Sequence, residues 1–228
     1  MKTNLLLSLI LKMTLFFCLL FAATSCIPVT NYTSSTGGCP QAFAAGDKIL
    51  VGEMKGVSAN RSYVLYEKLS EQLTAAGLQP AYTTEQEIYL RMKGIKPDLA
   101  PDSINLAKMQ QMGYAYYLKP TVGNLASGTG YVTASAAEVR EMHQYNTPED
   151  ASETTATLRY EVYSTASQKL LYTLVTTTKM IGLSLPNNDY ENGTRGQTTV
   201  NASTVSLAMN KALKKSTKKL LENCNCCQ

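Results

Sequence analysis

Apolar residues recur at helical spacing and alternate at strand spacing in turn along this chain, and their order predicts a mixed α/β domain. A short apolar run at residues 49 to 51 reads as a strand. Ser58 or Asn60 can then cap a helix whose stripe is Leu65, Leu69, Leu73 and Ala76, closed by Gly77 and kept from continuing by Pro80. Residues 79 to 82 predict a second strand, and Thr84-Glu85-Gln86-Glu87 has the form of a capping box for a short helix ending before Gly94. Asp102 or Ser103 caps a third helix, with Ile104, Ala107 and Met112 inward and Gly113 at its end. Tyr114-Ala115-Tyr116-Tyr117-Leu118 follows as a strand that ends near Pro120.

The second half changes period. In residues 157 to 164, Leu158, Tyr160 and Val162 share one strand face; residues 165 to 168 turn, and residues 169 to 178 return as a β-branched strand, completing a hairpin. The stretches 121 to 156 and 182 to 203 read as irregular or loosely hairpin-like. Residues 204 to 221 form a closing helix with Val205, Met209, Ala212, Ser216 and Leu220 on one side. The predicted fold is a single α/β sandwich: a mixed sheet with helices packed over it, a late hairpin and a C-terminal helix.

The first 46 residues belong to a different regime. Lys2 and Lys12 lead into an apolar stretch over 13 to 23 that is too short to span a bilayer, the layout of a secretory leader. Ala23-Thr24-Ser25-Cys26 resembles the lipobox of bacterial lipoprotein signals, with Ala23 where that family usually has Leu. The resemblance implies cleavage before Cys26 and diacylglyceryl attachment to its sulfur, with further acylation of the new N-terminus to make the anchorage stable. The alternative is an ordinary secreted chain with Cys26 free or paired. The organisation expected is a signal peptide over 1–25, a flexible tether over 26–46, the α/β domain over 47–222 and a Cys-rich tail over 223–228.

Loss of the leader removes two lysines, so 19 basic groups face 17 acidic ones and the net charge falls from +4 to +2. That balance argues against a nucleic-acid partner. Three of the four phenylalanines leave with the leader while all 14 tyrosines stay, which favours half-buried strand faces with hydroxyls in water. Lys211, Lys214, Lys215, Lys218 and Lys219 crowd the last helix. They read either as its solvated face or as a basic patch for anionic headgroups or an acidic partner.

Catalytic motifs are not evident. His143 is the only histidine and stands in a polar passage; the pair Glu85/Glu87 suits a helix's first turn, and Glu149/Asp150 a loop. The expectation is a non-enzyme without cofactor or resident metal. The thiols are more informative. With Cys18 in the leader and Cys26 lipidated, Cys39, Cys224, Cys226 and Cys227 remain, and in an oxidising compartment they predict two disulfides in one of three connectivities. A bond from Cys39 to one tail cysteine closes a loop of about 185 residues, worth ~5 kcal/mol in the chain-entropy account. The second bond would be local; neighbours Cys226 and Cys227 join only with strain, which favours Cys224 as a local partner. A four-thiolate metal site is the rival, although C-x-C-C is tight for zinc, while copper(I) tolerates it better.

The element order resembles small envelope domains: the curli-secretion channel lipoprotein CsgG, the penicillin-binding-protein activator lipoprotein LpoB, and the N-terminal domain of TolB. The carrying segments are Tyr66-Glu67-Lys68-Leu69-Ser70-Glu71-Gln72-Leu73 with Gly77, Gly113 through Pro120, and the hairpin from Tyr160 to Tyr172. The resemblance implies a non-enzymatic role in envelope assembly or secretion through contacts with envelope proteins. The chain would be anchored to the outer membrane by lipid and face the periplasm, and a homo-oligomer stays open. In the channel family two hairpin insertions line the membrane, and they fall at 121–156 and 181–203 here. Glu138, Arg140, Glu141, Glu149, Asp150, Asp189, Glu191 and Arg195 in those stretches disfavour lipid-facing strands. A channel subunit and a thiolate metal-handling lipoprotein are the alternative readings.

Overall fold

The computed structural model describes residues 27–34, 39, 43–96, 101–128, 130–145, 153–191 and 193–224. Among them are nine strands and five helices. In order they are β1 (Ile27–Ser34), β2 (Lys48–Val51), α1 (Ala59–Ala75), β3 (Gln79–Tyr82), α2 (Glu87–Met92), α3 (Ser103–Gln111), β4 (Tyr116–Ala126), β5 (Tyr131–Ala134), α4 (Ala136–Tyr145), β6 (Thr154–Ser164), β7 (Lys169–Ile181), β8 (Leu183–Glu191), β9 (Thr194–Val200) and α5 (Val205–Asn223). No helix of the described residues is long and apolar enough to cross a membrane.

The main sheet is mixed, as the pattern predicts. Its order is β1-β7-β6-β4-β2-β3, with β2 parallel to β3 and β4, and β4 antiparallel to β6. The chain divides into two compact units. Of the described residues, those within 30–126, 155–179 and 205–224 make up the larger, and those within 27–29, 127–154 and 180–204 the smaller.

In the larger unit, alternation along the strands loads both sheet faces. One face meets α1 and α5, which pack together and are bridged by Lys68 Nζ donating to Asn210 Oδ1 at 2.9 Å. Tyr160 is fully buried there, its hydroxyl 3.0 Å from Thr217 of α5. Burial of that phenol pushes its pKa up to about 12. On the other face Leu50, Leu90, Ile95, Leu106, Met109, Tyr114 and Tyr117 form a cluster beneath α2 and α3. The α1 stripe of Leu65, Leu69 and Leu73 is buried as its spacing requires, and Gly77 ends the helix at φ +81°.

Several local expectations are corrected. The third helix is capped by Asp102, which accepts from the Asn105 N–H at 2.7 Å, but its inward residues are Asn105, Leu106 and Met109, while Ile104 is 65 % exposed. Its phase follows Leu106 and Met109, which belong to the Leu50 cluster, and Met112, just past the helix, packs against that cluster as expected. The capping box at Thr84 does not form. Tyr82 is drawn inward beside Ser62, so residues 83–86 are a turn and α2 starts only at Glu87. β4 runs through Pro120 rather than stopping there. Like the Val122 N–H, the Pro120 nitrogen faces the β2 side, beyond the last rung at Val51–Leu118, so the missing N–H leaves no ladder bond broken. Beyond it the loop after β2 rejoins at Lys55, where Gly56 lies so close to the Val122 carbonyl that a Cβ would sit 2.5 Å from it.

The stretch expected to be a flexible tether contains strand β1, placed beside β7 at one edge of the main sheet. Extending β7 offers a row of backbone donors and acceptors that an otherwise unpaired segment can satisfy. The described residues of the stretches 121–156 and 182–203 hold regular elements, and the hairpin-like reading of the second holds for β8 and β9. β5, β9 and β8 form a second, antiparallel sheet, with α4 packed on β9 in the same unit. Helix α4 carries its own capping box: Glu138 accepts from the Ser135 N–H at 2.7 Å, and Ser135 Oγ accepts from the Glu138 N–H at 3.3 Å. The Ser135 N–H bond, joined by one from Ser135 Oγ at 2.9 Å, holds the Glu138 carboxyl below its usual range.

The interior of the smaller unit is tied by a polar knot. Asn201 donates to the Met180 carbonyl at 3.2 Å, its side-chain oxygen accepts from the Ser203 N–H at 2.9 Å, and its own N–H reaches the Gly130 carbonyl at 3.1 Å. Thr154 Oγ1 donates to the Ser203 carbonyl at 3.2 Å and accepts from the Gly128 N–H at 3.2 Å. Thr154, Asn201 and Ser203 are all buried.

Candidate functional site

The most distinctive chemistry in the described residues lies where the chain enters and leaves the larger unit. The last turn of α5 delivers Cys224, buried, to Cys39, and the two form a disulfide with Cα atoms 4.7 Å apart across 185 residues. Backbone bonds reinforce the junction: the Cys39 N–H donates to the Asn223 carbonyl at 3.4 Å and the Phe43 N–H to the Cys224 carbonyl at 3.1 Å. Phe43 packs edge-on against Tyr116 with ring centroids 4.9 Å apart, and Asn223 donates to the Tyr172 hydroxyl. Burial, followed by the charge of Asp47, raises the Tyr116 pKa. A cavity of about 400 Å³ opens beside these groups, lined in part by Asp47, Tyr114, Tyr116, Ser164 and Thr165.

This pairing differs from one detail of the sequence reading. Cys224 is taken by Cys39, so it is not the local partner of Cys226 or Cys227. The reason is position: it stands one residue after the α5 helix, where Cys39 and Phe43 are hydrogen-bonded to the helix end. Cys26, Cys226 and Cys227 lie outside the described residues. A four-thiolate site would need the two sulfurs now bonded to each other. Among the described residues no three His, Cys, Asp or Glu side chains are grouped to hold a metal ion.

The five lysines all fall on α5. Lys214 and Lys218 are exposed, whereas Lys211, Lys215 and Lys219 are half-buried. Glu222 lies 3.8 Å from the ammonium groups of both Lys218 and Lys219. Contacts of that length at an exposed surface contribute at most ~1 kcal/mol. Lys215, Lys218, Lys219 and Glu222 together border a shallow surface pocket of about 360 Å³. The side chain of His143 lies outside what is described.

Searches with the sequence find no matching family and no matching curated protein. Comparison of the fold with solved structures returns bacterial proteins at low identity. The PelC dodecamer from Paraburkholderia phytofirmans aligns at TM-score 0.44 and 13 % identity over 86 % of this chain and 99 % of that one. Lipoprotein GNA1162 from Neisseria meningitidis aligns at 0.39 and 14 % over 64 % of this chain and 88 % of that one. TolB from Acinetobacter baumannii aligns at 0.30 and 14 % over 64 % of this chain and 25 % of that one.

One cluster escaped the sequence reading. Glu161, 9 % exposed on β6, accepts from Lys119 at 3.0 Å and from the Tyr163 hydroxyl at 2.9 Å, and its other oxygen lies 2.7 Å from the Arg159 guanidinium. Burial opposes the charged carboxylate, but the Lys119 and Tyr163 hydrogen bonds and the two cations outweigh it and hold its pKa low. Tyr163 is pushed up to about 12 by burial and by its bond to that carboxylate. The signal was present as Arg159, Glu161 and Tyr163 at alternate positions, which places all three on one strand face. Every polar atom named in the cluster is paired, the arrangement of a structural network.

Proposed function

We propose that this protein is a lipid-anchored envelope module that works through protein contacts and not through catalysis. The observation that carries the reading is the Cys39–Cys224 bond. A disulfide of this kind persists in an oxidising compartment. It follows shortly after Cys26, the residue at which the lipobox resemblance places the acyl chains. Export, acylation and oxidation are therefore three aspects of one address, and the outer membrane with a periplasm-facing body is the location that fits them together. The Glu161 network adds support, since its charges are spent on one another.

Fractionation of cells tests the reading. The parent protein belongs in the membrane pellet and incorporates labelled palmitate. Cys26→Ser appears soluble or retained as an uncleaved precursor, without label. A parent protein that is soluble and unlabelled sinks the proposal.

A further inference from the structure

Residues 26–46 have the composition of a free tether, yet eight of them are strand β1, set beside β7 at the edge of the main sheet. The first of those residues, Ile27, follows Cys26 directly. Downstream the chain is fixed again by the Cys39 disulfide and by the Phe43 N–H on the Cys224 carbonyl.

Three lengths decide what this means for a lipid on Cys26. A flexible tether of some twenty residues would set the body off by ~25 Å on average. One trans peptide unit, from Cys26 to Ile27, spans only ~3.8 Å. The polar headgroup layer on each side of a bilayer is roughly 5–8 Å deep. Acyl chains in the hydrocarbon layer therefore leave the start of β1 no room to stand clear of the headgroups.

We propose that the sheet edge at the start of β1 rests against the phospholipid headgroups, so that the bilayer surface is itself a partner of the domain. This rests on acylation of Cys26, as proposed above, and adds the orientation in which the body is held. The composition of the strand agrees. Ile27–Ser34 contains no charged residue, has Pro28 as its one edge-protecting residue, and holds Thr30, Asn31, Thr33 and Ser34, which suit a polar interface. Lipidation thus fixes how the domain presents itself to envelope partners, as well as where it resides.

Neutron reflectometry on the mature lipoprotein in a supported bilayer of phosphatidylethanolamine and phosphatidylglycerol tests this. The reference is a variant with twelve Gly/Ser residues inserted between Cys26 and Ile27, outside the folded body. The expected result is no resolved water layer between headgroups and protein for the parent, and a layer of about 20 Å for the variant. A parent layer as thick as the variant's overturns the proposed orientation while leaving lipidation standing. Mass analysis of the same sample reads acylation separately: an unmodified Cys26 removes the underlying reading and this inference with it.

Discussion

Leu50, Leu69 and Leu118 are almost completely out of solvent in the larger unit, while the smaller unit leaves Leu183, Leu185 and Val200 between 40 % and 48 % exposed and encloses Thr154, Asn201 and Ser203. Both units bury apolar side chains, among them Ala136, Val139 and Met180 in the smaller one, but the smaller unit adds a buried hydrogen-bond knot to them. Apolar burial is non-directional and sums over many side chains, so it tolerates the loss of any one of them in proportion to its area. A buried hydrogen-bond knot depends on each partner, because removing one leaves the others desolvated and unpaired. One unit should therefore weaken by degrees and the other fail at single points.

The disulfide offers the largest lever on this contrast. Cys39→Ser should cost the larger unit about 5 kcal/mol, the chain-entropy value for a loop this long. Denaturant unfolding with and without reductant checks it: the parent under reduction should match the variant, and equal midpoints for oxidised and reduced parent would refute it. Next, Leu69→Ala should cost about 3 kcal/mol through lost burial and a cavity, with amide exchange quickening through α1 and the main sheet. Asn201→Ala, although it deletes fewer contacts, should cost about 2 kcal/mol by orphaning its polar neighbours. Its faster exchange should be confined to β5, β8, β9 and α4. Uniform exchange changes in both variants would erase the distinction between the units.

Titration reads the larger unit from another side. Tyr160 and Tyr163 ionise near 10 when unfolded and at about 12 when folded. Across that window the unfolded chain has released protons that the folded chain retains, so stability falls as pH rises from about 10 to about 12. The folded Glu161 pKa is lowered, so its contribution is complete above the unfolded carboxylate value and is lost as pH falls through the folded one. Tyr163→Phe should flatten part of the alkaline loss in a thermal-melt series; an unchanged profile would contradict the assignment. Smallest is Ser135→Ala, which removes one half of the α4 capping box and should cost about 1 kcal/mol. Exchange at residues 136 to 141 reports it.

The contrast also explains what the sequence made legible. The Leu65-Leu69-Leu73 stripe and the Leu158-Tyr160-Val162 alternation are period signals that burial enforces, and they led to the main sheet and its two long helices. Ile104 misled because local spacing cannot say which of two overlapping stripes meets the core; the reach of Leu106 and Met109 to Leu50 decided it. Pro120 misled because a proline forbids a strand only where its nitrogen needs an acceptor. The smaller unit carried two readable cues, Ser135-Ala136-Ala137-Glu138 and the alternating run at 131 to 134. Its strands, however, are largely polar, and β5 finds its partner β9 far along the chain, although β8 and β9 are a hairpin. β1 was hidden for the same reason, since its strand character comes from the edge of β7. At the site, the link from Cys39 to the tail was foreseeable from compartment and count, but the choice of Cys224 needed the end of α5 and its hydrogen bonds.

Non-reduced peptide mass mapping of the protein taken from the membrane fraction tests the central claim most directly. The account predicts a mature chain beginning at an acylated Cys26, together with a linked pair of peptides containing Cys39 and Cys224. A chain that retains its first 25 residues, or carries an unmodified Cys26, would contradict it.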